Sequence, residues 1–566
     1  MPHRSTALIL AVLTVASLTR EGAAQNPPLD SAAVTAWRQD LRYMAAQMAE
    51  RHRNLYHSIT RSGFDSAVAS LDARIPTLKR YQVILELARI VALVGDGHTN
   101  IAPTRDPRIG FRSYPIALYL FSDGLYIRAA DSAHAPLVGA RVVRIGSHSV
   151  DEAYAAVRPL IGRDNEMGVR FFVPFLLAMP EVLGGTGLVP DMERAELTLE
   201  RDGRRFEVTL APAGPAPMMA QETDRSWLAP PGWVDARHSA AHPTPLWLED
   251  PSDKFRYRYL PDSRTLYVQF NEVGNKPDET VAQFCRRLFA FARHRPVRRL
   301  VLDLRLNGGG DGSLNRPLLL GIIKAESLDV RGRLFTIIGR RTWSAAQFLV
   351  TQLESYTNTI FVGEPTASRG NAYGDSYRIT LPNSGITVRV STLWWQLSDP
   401  RDTRPWTPPE MATELSFEDY RSNRDPALQA VLSYRNTPPL DEQLEQALRR
   451  GGLDVAMEIH RAYKADPRHR YLDTEADLNR LGYRLLEQRR LKEAIAIFQL
   501  NAGDYPDSWN VYDSLAEAYL KGGDADLAIR NYERSVALNP DNHNAVEILR
   551  SLRAGGTGAD SGGPAP

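Results

Sequence analysis

The part of the chain that most constrains its fold is residues 297–374, where apolar runs alternate with glycine-containing loops. The runs are RLVLDLRL at 299–306, LFTIIG at 334–339 and TIFVG at 359–363, and each has the length and composition of a buried strand. The first run ends in NGGG at 307–310, and the third leads into a polar loop at 364–374. This order predicts a βαβ-type α/β sheet, whose ligands gather at the carboxyl ends of the strands.

A serine stands where the second apolar run gives way to a helical pattern. Apolar residues recur at helical spacing after Ser344, at Ala345, Phe348, Leu349, Leu353 and Tyr356. We therefore expect Ser344 to lie at a strand-to-helix junction, beside backbone N–H groups that have no intrahelical partner and at the positive end of the helix dipole. The three glycines at 308–310 let backbone approach the same point.

These features together favour acyl transfer. Two N–H donors could hold a tetrahedral oxyanion, and each such donor is worth about 3–4 kcal/mol when it is removed. The alternative is a glycine turn followed by a serine that only caps its helix, which is a common arrangement.

Four motifs in a fixed order carry a family resemblance. They are GDGHT at 95–99, DLRLNGGG at 303–310, TWSAA at 342–346 and GEPT at 363–366. Together they resemble the C-terminal-processing (tail-specific) serine peptidase family, which includes tricorn-type proteases, and GDGHT resembles the histidine motif of the tricorn-like branch. The likeness runs from about Trp37 to about Leu432.

The resemblance implies an α/β fold with a crotonase/ClpP-like peptidase core. It also implies that Ser344 is the nucleophile and that the N–H groups of Ala345 and Gly309 hold the oxyanion; which of the three glycines donates stays open.

The general base is predicted to be His98. Family members with a serine–lysine dyad place the lysine about 25 residues after the serine, and position 369 here is an arginine. Arg369 cannot lose its proton in a protein, so it cannot be a base. The imidazole of His98 has an unperturbed pKa near 6.5, which suits proton transfer near neutral pH. Without the family motif, a loop histidine would more often have no catalytic role.

A third catalytic residue should orient His98, because a carboxylate fixes the imidazole tautomer and stabilises the imidazolium. Tricorn-like relatives place an acidic residue well beyond the serine, and Asp399, Asp402 and Glu410 occupy that zone. We predict Asp402, which lies 58 positions after the serine. Two alternatives stay open: a surface salt bridge from Asp402 to Arg401 or Arg404, and Glu410 as the third catalytic residue.

The N-terminus has the features of a secretory signal peptide. His3 and Arg4 precede an apolar run at 7–18, and small residues at 22–24 stand before Gln25. The run is shorter than the roughly 20 apolar residues that span a bilayer. We predict a periplasmic or secreted protein with no stable membrane insertion after cleavage; an uncleaved anchor is the alternative.

The chain near its C-terminal end contains a repeat. Leu481, Leu485, Ala494, Phe498 and Pro506 recur 34 positions later as Leu515, Tyr519, Ala528, Tyr532 and Pro540. This period and pattern are those of tetratricopeptide (TPR) repeats, helix pairs that stack on their neighbours. Such repeats predict a protein partner, and packing on the catalytic domain is the alternative.

The domain organisation follows from these patterns. We predict a signal peptide at 1–24, an N-terminal helical segment carrying the histidine motif at 25–110, a PDZ-like β module at 111–215, a proline-rich linker at 216–253, the catalytic core at 254–435, TPR-like helical repeats at 440–553 and a disordered tail at 554–566. Asp202-Gly203 and 383–385 mark two β-hairpins. The PDZ-like assignment comes from the resemblance, and a β module that binds no peptide is equally open.

Composition limits the partners. Lys and Arg number 68 against 67 Asp and Glu, so bulk charge argues against nucleic acid or a membrane surface as a partner. The single cysteine, Cys285, lies in a helical pattern and is predicted to be a packing residue. No Cys-rich or His-Glu-x-x-His spacing occurs, and we expect neither a metal nor another cofactor.

The function predicted is therefore a periplasmic or secreted serine endopeptidase that acts on protein or peptide substrates through an acyl-enzyme on Ser344. The alternatives are a catalytically weak or inactive peptide-binding protein that retains the peptidase fold, and a scaffold that acts mainly through its repeats.

Overall fold

The structure is a computed structural model that describes residues 29–215 and 229–553. The predicted signal peptide, residues 216–228 of the predicted linker and the predicted tail lie outside the described residues. Within those two ranges, no helix is both long enough and apolar enough to cross a membrane. The described chain forms two compact units. The first unit comprises 29–215, 229–252, Ala367–Pro405 and Ser416–Arg424, and the second comprises Asp253–Thr366, Trp406–Leu415 and 425–553.

The elements are numbered in chain order. The helices are α1 (Ser31–Arg51), α2 (Arg61–Arg74), α3 (Arg80–Ala92), α4 (Val150–Val157), α5 (Glu166–Leu176), α6 (Pro180–Gly185), α7 (Leu246–Glu249), α8 (Val281–His294), α9 (Arg316–Lys324), α10 (Ala345–Tyr356), α11 (Phe417–Arg421), α12 (Pro426–Ser433), α13 (Leu440–Ala465), α14 (Glu475–Glu487), α15 (Leu491–Asp504), α16 (Trp509–Lys521), α17 (Ala525–Leu538) and α18 (His543–Arg553). The strands are β1 (Arg112–Ser113), β2 (Ile116–Phe121), β3 (Gly124–Ala130), β4 (Arg141–Ile145), β5 (His148–Ser149), β6 (Ala195–Arg201), β7 (Arg204–Leu210), β8 (Gly214–Pro215), β9 (Val234–Asp235), β10 (Phe255–Leu260), β11 (Thr265–Phe270), β12 (Arg299–Asp303), β13 (Leu334–Ile338), β14 (Ile360–Gly363), β15 (Asn371–Thr380), β16 (Thr387–Gln396) and β17 (Met411–Ala412).

The first unit contains an antiparallel sheet in the order β2-β3-β4-β6-β7, with β5 paired to β4 and β9 paired to β3. The predicted hairpin at Asp202-Gly203 is confirmed, because both residues have positive φ, the conformation of a tight turn that matches the twist of its strands. Whether this sheet is PDZ-like stays a prediction.

The same unit contains the long β15–β16 hairpin. The hairpin predicted from its turn at 383–385 is confirmed, and its strands pair from Thr380 and Thr387 beside the turn to Asn371 and Gln396 at the far end. The hairpin turn is fixed by Asp40 of α1, whose buried carboxylate accepts the N–H groups of Asn383 and Ser384 at 2.8 and 2.9 Å. The range 254–435, which the sequence predicts as one catalytic core, is shared between the two units. Ala367–Pro405 belongs to the first unit, together with the N-terminal part of the chain, whereas Asp253–Thr366 belongs to the second.

The second unit is built on a six-stranded sheet in the order β10-β11-β12-β13-β14-β17. Strand β10 is antiparallel to its neighbour and all other pairs are parallel. The three predicted apolar runs are confirmed as strands β12, β13 and β14, and every residue of the three strands is buried. Leu304 begins a turn instead of continuing the first run, since its carbonyl accepts the N–H of Asn307. The mixed α/β prediction is confirmed.

Cys285 lies in α8, buried in the core beside this sheet. Burial raises the pKa of its thiol to about 12, so the group stays protonated at neutral pH. The prediction of a packing residue is confirmed.

The C-terminal helical region forms a core of its own from α13 to α18. The eight non-proline repeat positions are all buried in it, namely Leu481, Leu485, Ala494, Phe498, Leu515, Tyr519, Ala528 and Tyr532. Each set of four lies on one helix pair, α14–α15 or α16–α17. The helical repeat is confirmed, and its assignment as TPR stays a prediction.

Candidate active site

Ser344 occupies the junction between β13 and α10, as predicted. Its backbone has φ 56° and ψ −127°, a left-handed conformation that is costly for any residue with a Cβ. A serine held this way at a strand-to-helix turn is typical of hydrolase nucleophiles. Ser344 makes no side-chain capping bond to α10, so the simple capping alternative does not describe it.

The turn before Ser344 is tied to the glycine loop. The Thr342 hydroxyl accepts the N–H of Gly339 and donates to the carbonyl of Leu304 at 2.9 Å. The N–H of Trp343 donates to the carbonyl of Asn307 at 3.1 Å. These bonds fix the turn that carries Ser344 against the loop that follows β12.

Gly309 lies directly against the serine. Its φ is +104°, and a Cβ added there would stand 2.7 Å from Ser344 Cβ and 3.1 Å from the backbone nitrogen of Ala345. Only glycine fits this position. The structure therefore brings three of the five predicted site residues together: Gly309, Ser344 and Ala345.

The N–H of Gly309 already has an acceptor, because it donates to Asn307 Oδ1 at 2.9 Å. Asn307 is itself buried and donates through its amide to the carbonyl of Phe270 at 2.8 Å. The oxyanion role of Gly309 stays a prediction, and the choice among the three glycines stays open. Ala345 is the first residue of α10, where N–H groups lack intrahelical acceptors.

A buried ionic cluster lies at the start of the glycine loop. Tyr267 donates its hydroxyl to Asp303 at 2.6 Å, and Arg305 Nε donates to the same carboxylate at 3.1 Å. The Arg305 guanidinium also binds Asp425 through two bonds of 2.9 and 3.0 Å. Because each buried charge has an opposite partner, the cluster can hold the end of β12 in one place.

His98 belongs to the first unit, in the loop after α3. Asp96 Oδ1 accepts the N–H groups of His98 and Thr99 at 3.0 and 2.7 Å, and also the Ser391 hydroxyl at 2.7 Å. The carbonyl of His98 accepts the hydroxyl of Ser376 at 2.8 Å. The histidine backbone is therefore fixed by its own loop and by β15 and β16.

His52, which the sequence analysis did not identify, completes this arrangement. Its Nδ1 accepts the N–H of Asn54 at 3.0 Å, so its protonated Nε2 donates to Asp96 Oδ2 at 2.9 Å. Burial acts to raise the pKa of Asp96, but bonds from His52, Ser391 and Thr99 outweigh it and lower that pKa. Asp96 is therefore ionised at neutral pH.

Burial lowers the pKa of the partly exposed His98, while the carboxylates of Asp164, Asp96 and Asp375 act in the opposite direction. A histidine with a lowered pKa is neutral at pH 7, as a general base must be.

Asp164 is the second residue that the sequence analysis missed. It lies in a loop before α5, buried, and its Oδ1 accepts the N–H of Gly97 at 2.8 Å. Its Oδ2 accepts the hydroxyl of Ser368 at 2.9 Å. The flanking sequence GRDN at 162–165 matches none of the motifs that the sequence analysis used.

Asp402 also lies in the first unit, and its carboxylate is bound locally. Oδ2 accepts the Ser398 hydroxyl at 2.7 Å and Arg404 Nη2 at 2.8 Å, while Oδ1 accepts the N–H and Nε of Arg404 at 3.1 and 3.0 Å. No such bond joins it to His98 in the described chain. These contacts match the salt-bridge alternative, and the catalytic role of Asp402 stays a prediction.

The other predicted alternatives have partners of their own. Glu410, in the second unit, binds Arg331 at 2.6 Å. Arg369 Nε donates to the main-chain carbonyl of Asp164 at 3.2 Å, as expected for a permanent cation and not for a base.

One group of residues in the described chain has metal-ligand types close together. The ligand atoms of His52, His57 and Asp96 lie within 4.8 Å of one another. Both ring nitrogens of His52 and both oxygens of Asp96 are engaged in the hydrogen bonds given above. We therefore interpret the group as hydrogen-bonded support for the histidine loop and not as an open ligand set.

No protein-family model matches the chain, and no curated protein matches it. Among solved structures, a point mutant of CPAF aligns with 72% of this chain and 100% of its own length, at 12% identity and a TM-score of 0.50. The chain has the fold of CPAF. This likeness confirms the α/β fold class with its ClpP-like core, while identity this low says nothing further about activity.

Two other solved structures are similar over much of the chain. The photosystem II D1 C-terminal processing protease covers 70% of this chain and 96% of its own length, at 13% identity and a TM-score of 0.34. The tricorn protease covers 75% of this chain and 38% of its own length, at 16% identity and a TM-score of 0.31.

Proposed function

We propose that the chain is a serine endopeptidase that cleaves proteins or peptides through an acyl-enzyme on Ser344. The observation that carries this proposal is the backbone of Ser344, at φ 56° and ψ −127°, with Gly309 packed against it. Strain of about 1–3 kcal/mol at one serine is retained where the surrounding structure needs that side chain in place. Support also comes from the fold, which this chain shares with a CPAF mutant.

In this proposal Ser344 Oγ attacks the carbonyl carbon of the peptide, and His98 takes the hydroxyl proton. The N–H of Ala345 and one N–H of the glycine loop hold the oxyanion. The neutral state of His98 at pH 7 supports its role as base.

The first experiment is hydrolysis of a casein-type substrate by the wild type and by Ser344→Ala. Alanine removes the hydroxyl and keeps Cβ, so the variant should fold and its activity should fall to background. Ser355→Ala is the matched control, because Ser355 lies in the same helix and its hydroxyl donates to the carbonyl of Thr351 at 2.9 Å. Activity in Ser344→Ala equal to that of the wild type would end the serine-peptidase proposal. A wild type that binds peptides without cleaving them would favour the inactive, peptide-binding alternative.

The second experiment identifies the base. His98→Ala should be nearly as damaging as Ser344→Ala, whereas Arg369→Ala should keep measurable activity because a guanidinium cannot accept the proton. The reverse pattern would assign the essential role to Arg369.

The third experiment concerns the predicted acid. If Asp402 orients the histidine, Asp402→Asn should lower kcat by orders of magnitude with little change in KM. Wild-type kinetics in Asp402→Asn, together with an inactive Glu410→Gln, would move the role to Glu410. Wild-type kinetics in both variants would exclude both residues.

Export belongs to the same proposal. The leader-like composition of residues 1–24 supports a periplasmic or secreted location. Amino-terminal sequencing of the protein recovered from a bacterial periplasm should begin at or near Gln25, and an intact Met1 on membrane-bound protein would contradict cleavage.

We further propose that the C-terminal repeats bind a partner protein, since stacked helix pairs present extended surfaces.

A further inference from the structure

The loop that carries Asp164 packs tightly against the histidine loop. A Cβ added at Gly162 would collide with the carbonyl of Thr99, and it would stand 3.1 Å from Asn100 Cβ. Two residues later, the Asp164 carboxylate receives the N–H of Gly97 at 2.8 Å. The carboxylate is therefore held beside the backbone of the predicted base.

The same loop is fixed on its other side. Asn165 caps α5 through a 2.9 Å bond from the N–H of Met167 and donates its amide to the carbonyl of Pro405 at 2.7 Å. Arg369 Nε donates to the Asp164 main-chain carbonyl. Asp164 can therefore move little relative to its neighbours, and a fixed charge of this kind costs no reorganisation during a reaction.

Among the described residues, the hydrogen bonds of the Asp164 carboxylate come from two neutral donors, the amide of Gly97 and the hydroxyl of Ser368. The residue is 7% exposed, and Ser368 is 1% exposed. A buried carboxylate without a cationic donor is costly, so a nearby group that becomes positive would be stabilised strongly.

Charged groups of the described chain that act on the His98 imidazole include Asp164, Asp96, Asp375 and Arg105. Asp96 is already balanced by four hydrogen bonds, one of them from His52. Asp375 is exposed and accepts the indole N–H of Trp395 at 2.6 Å, so solvent screens its charge. Asp164 is buried, unlike Asp375. Unlike Asp96, it receives no hydrogen bond from a histidine or another basic side chain within the described residues.

We propose that Asp164 is the carboxylate that stabilises the imidazolium form of His98, the role that the sequence assigned to Asp402. This inference rests on the proposed function. As Ser344 Oγ bonds to the substrate carbonyl carbon, His98 takes the hydroxyl proton and becomes positive beside the carboxyl group of Asp164. His98 then gives the proton to the amine nitrogen as the C–N bond breaks, and water repeats the sequence to release the acyl group.

The protonation behaviour of the pair agrees with this role. Burial raises the pKa of Asp164 and lowers the pKa of His98. The charge of His98 acts to lower the pKa of Asp164, and the charge of Asp164 acts to raise the pKa of His98. Two groups that favour each other's charged form behave in this way.

Asp164→Asn is the decisive variant, because the amide oxygen can still accept the N–H of Gly97 and the amide nitrogen can donate to Ser368. Only the charge is removed. We expect kcat to fall about tenfold or more with KM within about threefold, as when an interaction made in the transition state is lost. The acid limb of the pH profile should also move to lower pH, since the imidazolium loses its neighbour. Asp399→Asn, which removes an exposed carboxylate bound to Arg401, is the control.

A measurement independent of hydrolysis separates this inference from the proposed function. In a Ser344→Ala background, the pKa of the ¹⁵N-labelled His98 imidazole can be titrated by NMR, with and without Asp164→Asn. A lower His98 pKa in the double variant supports the inference even if the wild type hydrolyses nothing. An unchanged His98 pKa overturns it. Equal loss of activity in Ser368→Ala and Asp164→Asn without a pKa change would leave Asp164 only a structural support of the loop.

Discussion

Replacing Ser344 by glycine should give a more stable protein than replacing it by alanine, although both variants lack the proposed nucleophile. Alanine keeps a Cβ at φ 56° and ψ −127°, a conformation that costs a non-glycine residue about 1–3 kcal/mol. Glycine adopts it freely, but a glycine also loses more backbone entropy on folding, roughly 0.5–1 kcal/mol. The difference leaves Ser344→Gly more stable than Ser344→Ala by about 1 kcal/mol.

Amide hydrogen exchange of β13 and α10, read by mass spectrometry, measures the free energy of opening at this site. Ser355 supplies the control pair, because it lies within α10 at helical φ. At Ser355 the order of stability should reverse: Ser355→Gly should be less stable than Ser355→Ala by about 1 kcal/mol. If Ser355 behaves so while Ser344→Gly is no more stable than Ser344→Ala, the junction stores no strain and the argument from its backbone fails.

Three further predictions concern the proposed base, His98, and the hydrophobic cores of the second unit. Because burial lowers the pKa of His98 and the base acts when neutral, kcat/KM should reach half its maximum below pH 6.5; a half-maximum above 6.5 would contradict this assignment. Tyr267→Phe removes a buried hydrogen bond to a carboxylate and should lower the free energy of unfolding by about 1.5–3 kcal/mol in urea titrations, whereas an unchanged value would show that the bond contributes nothing. Gly482→Ala places a methyl group against the ring of Phe498 and should destabilise the repeat region by about 1–3 kcal/mol, while Gly503→Ala, with open space around it, should stabilise it; equal effects on thermal melting would refute the packing argument.

Local features of the site were predictable because they depend on neighbouring residues. The end of β13, the start of α10 at Ala345 and the strand before the glycine loop all follow from apolar spacing within a few residues. The need for glycine at 309 followed from the expected close approach of backbone.

Features that depend on distant or competing contacts were not predictable. Asp164 accepts a hydrogen bond from Gly97, 67 positions away, and Asp96 accepts one from Ser391, 295 positions away. No motif at Asp164 or Ser391 predicted either bond. The bond from the N–H of Gly309 to Asn307 depends on one side-chain rotamer, which periodicity cannot specify. The grouping of Ala367–Pro405 with the N-terminal part depends on where the β15–β16 hairpin packs, and α1 supplies that contact through Asp40.

The order of these segments along the chain sets the order in which a ribosome can complete them. Three of the contacts that fix the His98 loop come from Ser376, Arg389 and Ser391, all of which are synthesised after Ser344. A nascent or truncated chain that stops before residue 376 therefore carries the serine but lacks these three contacts. If the proposed chemistry holds, full hydrolytic competence therefore depends on a part of the chain that is made after the serine.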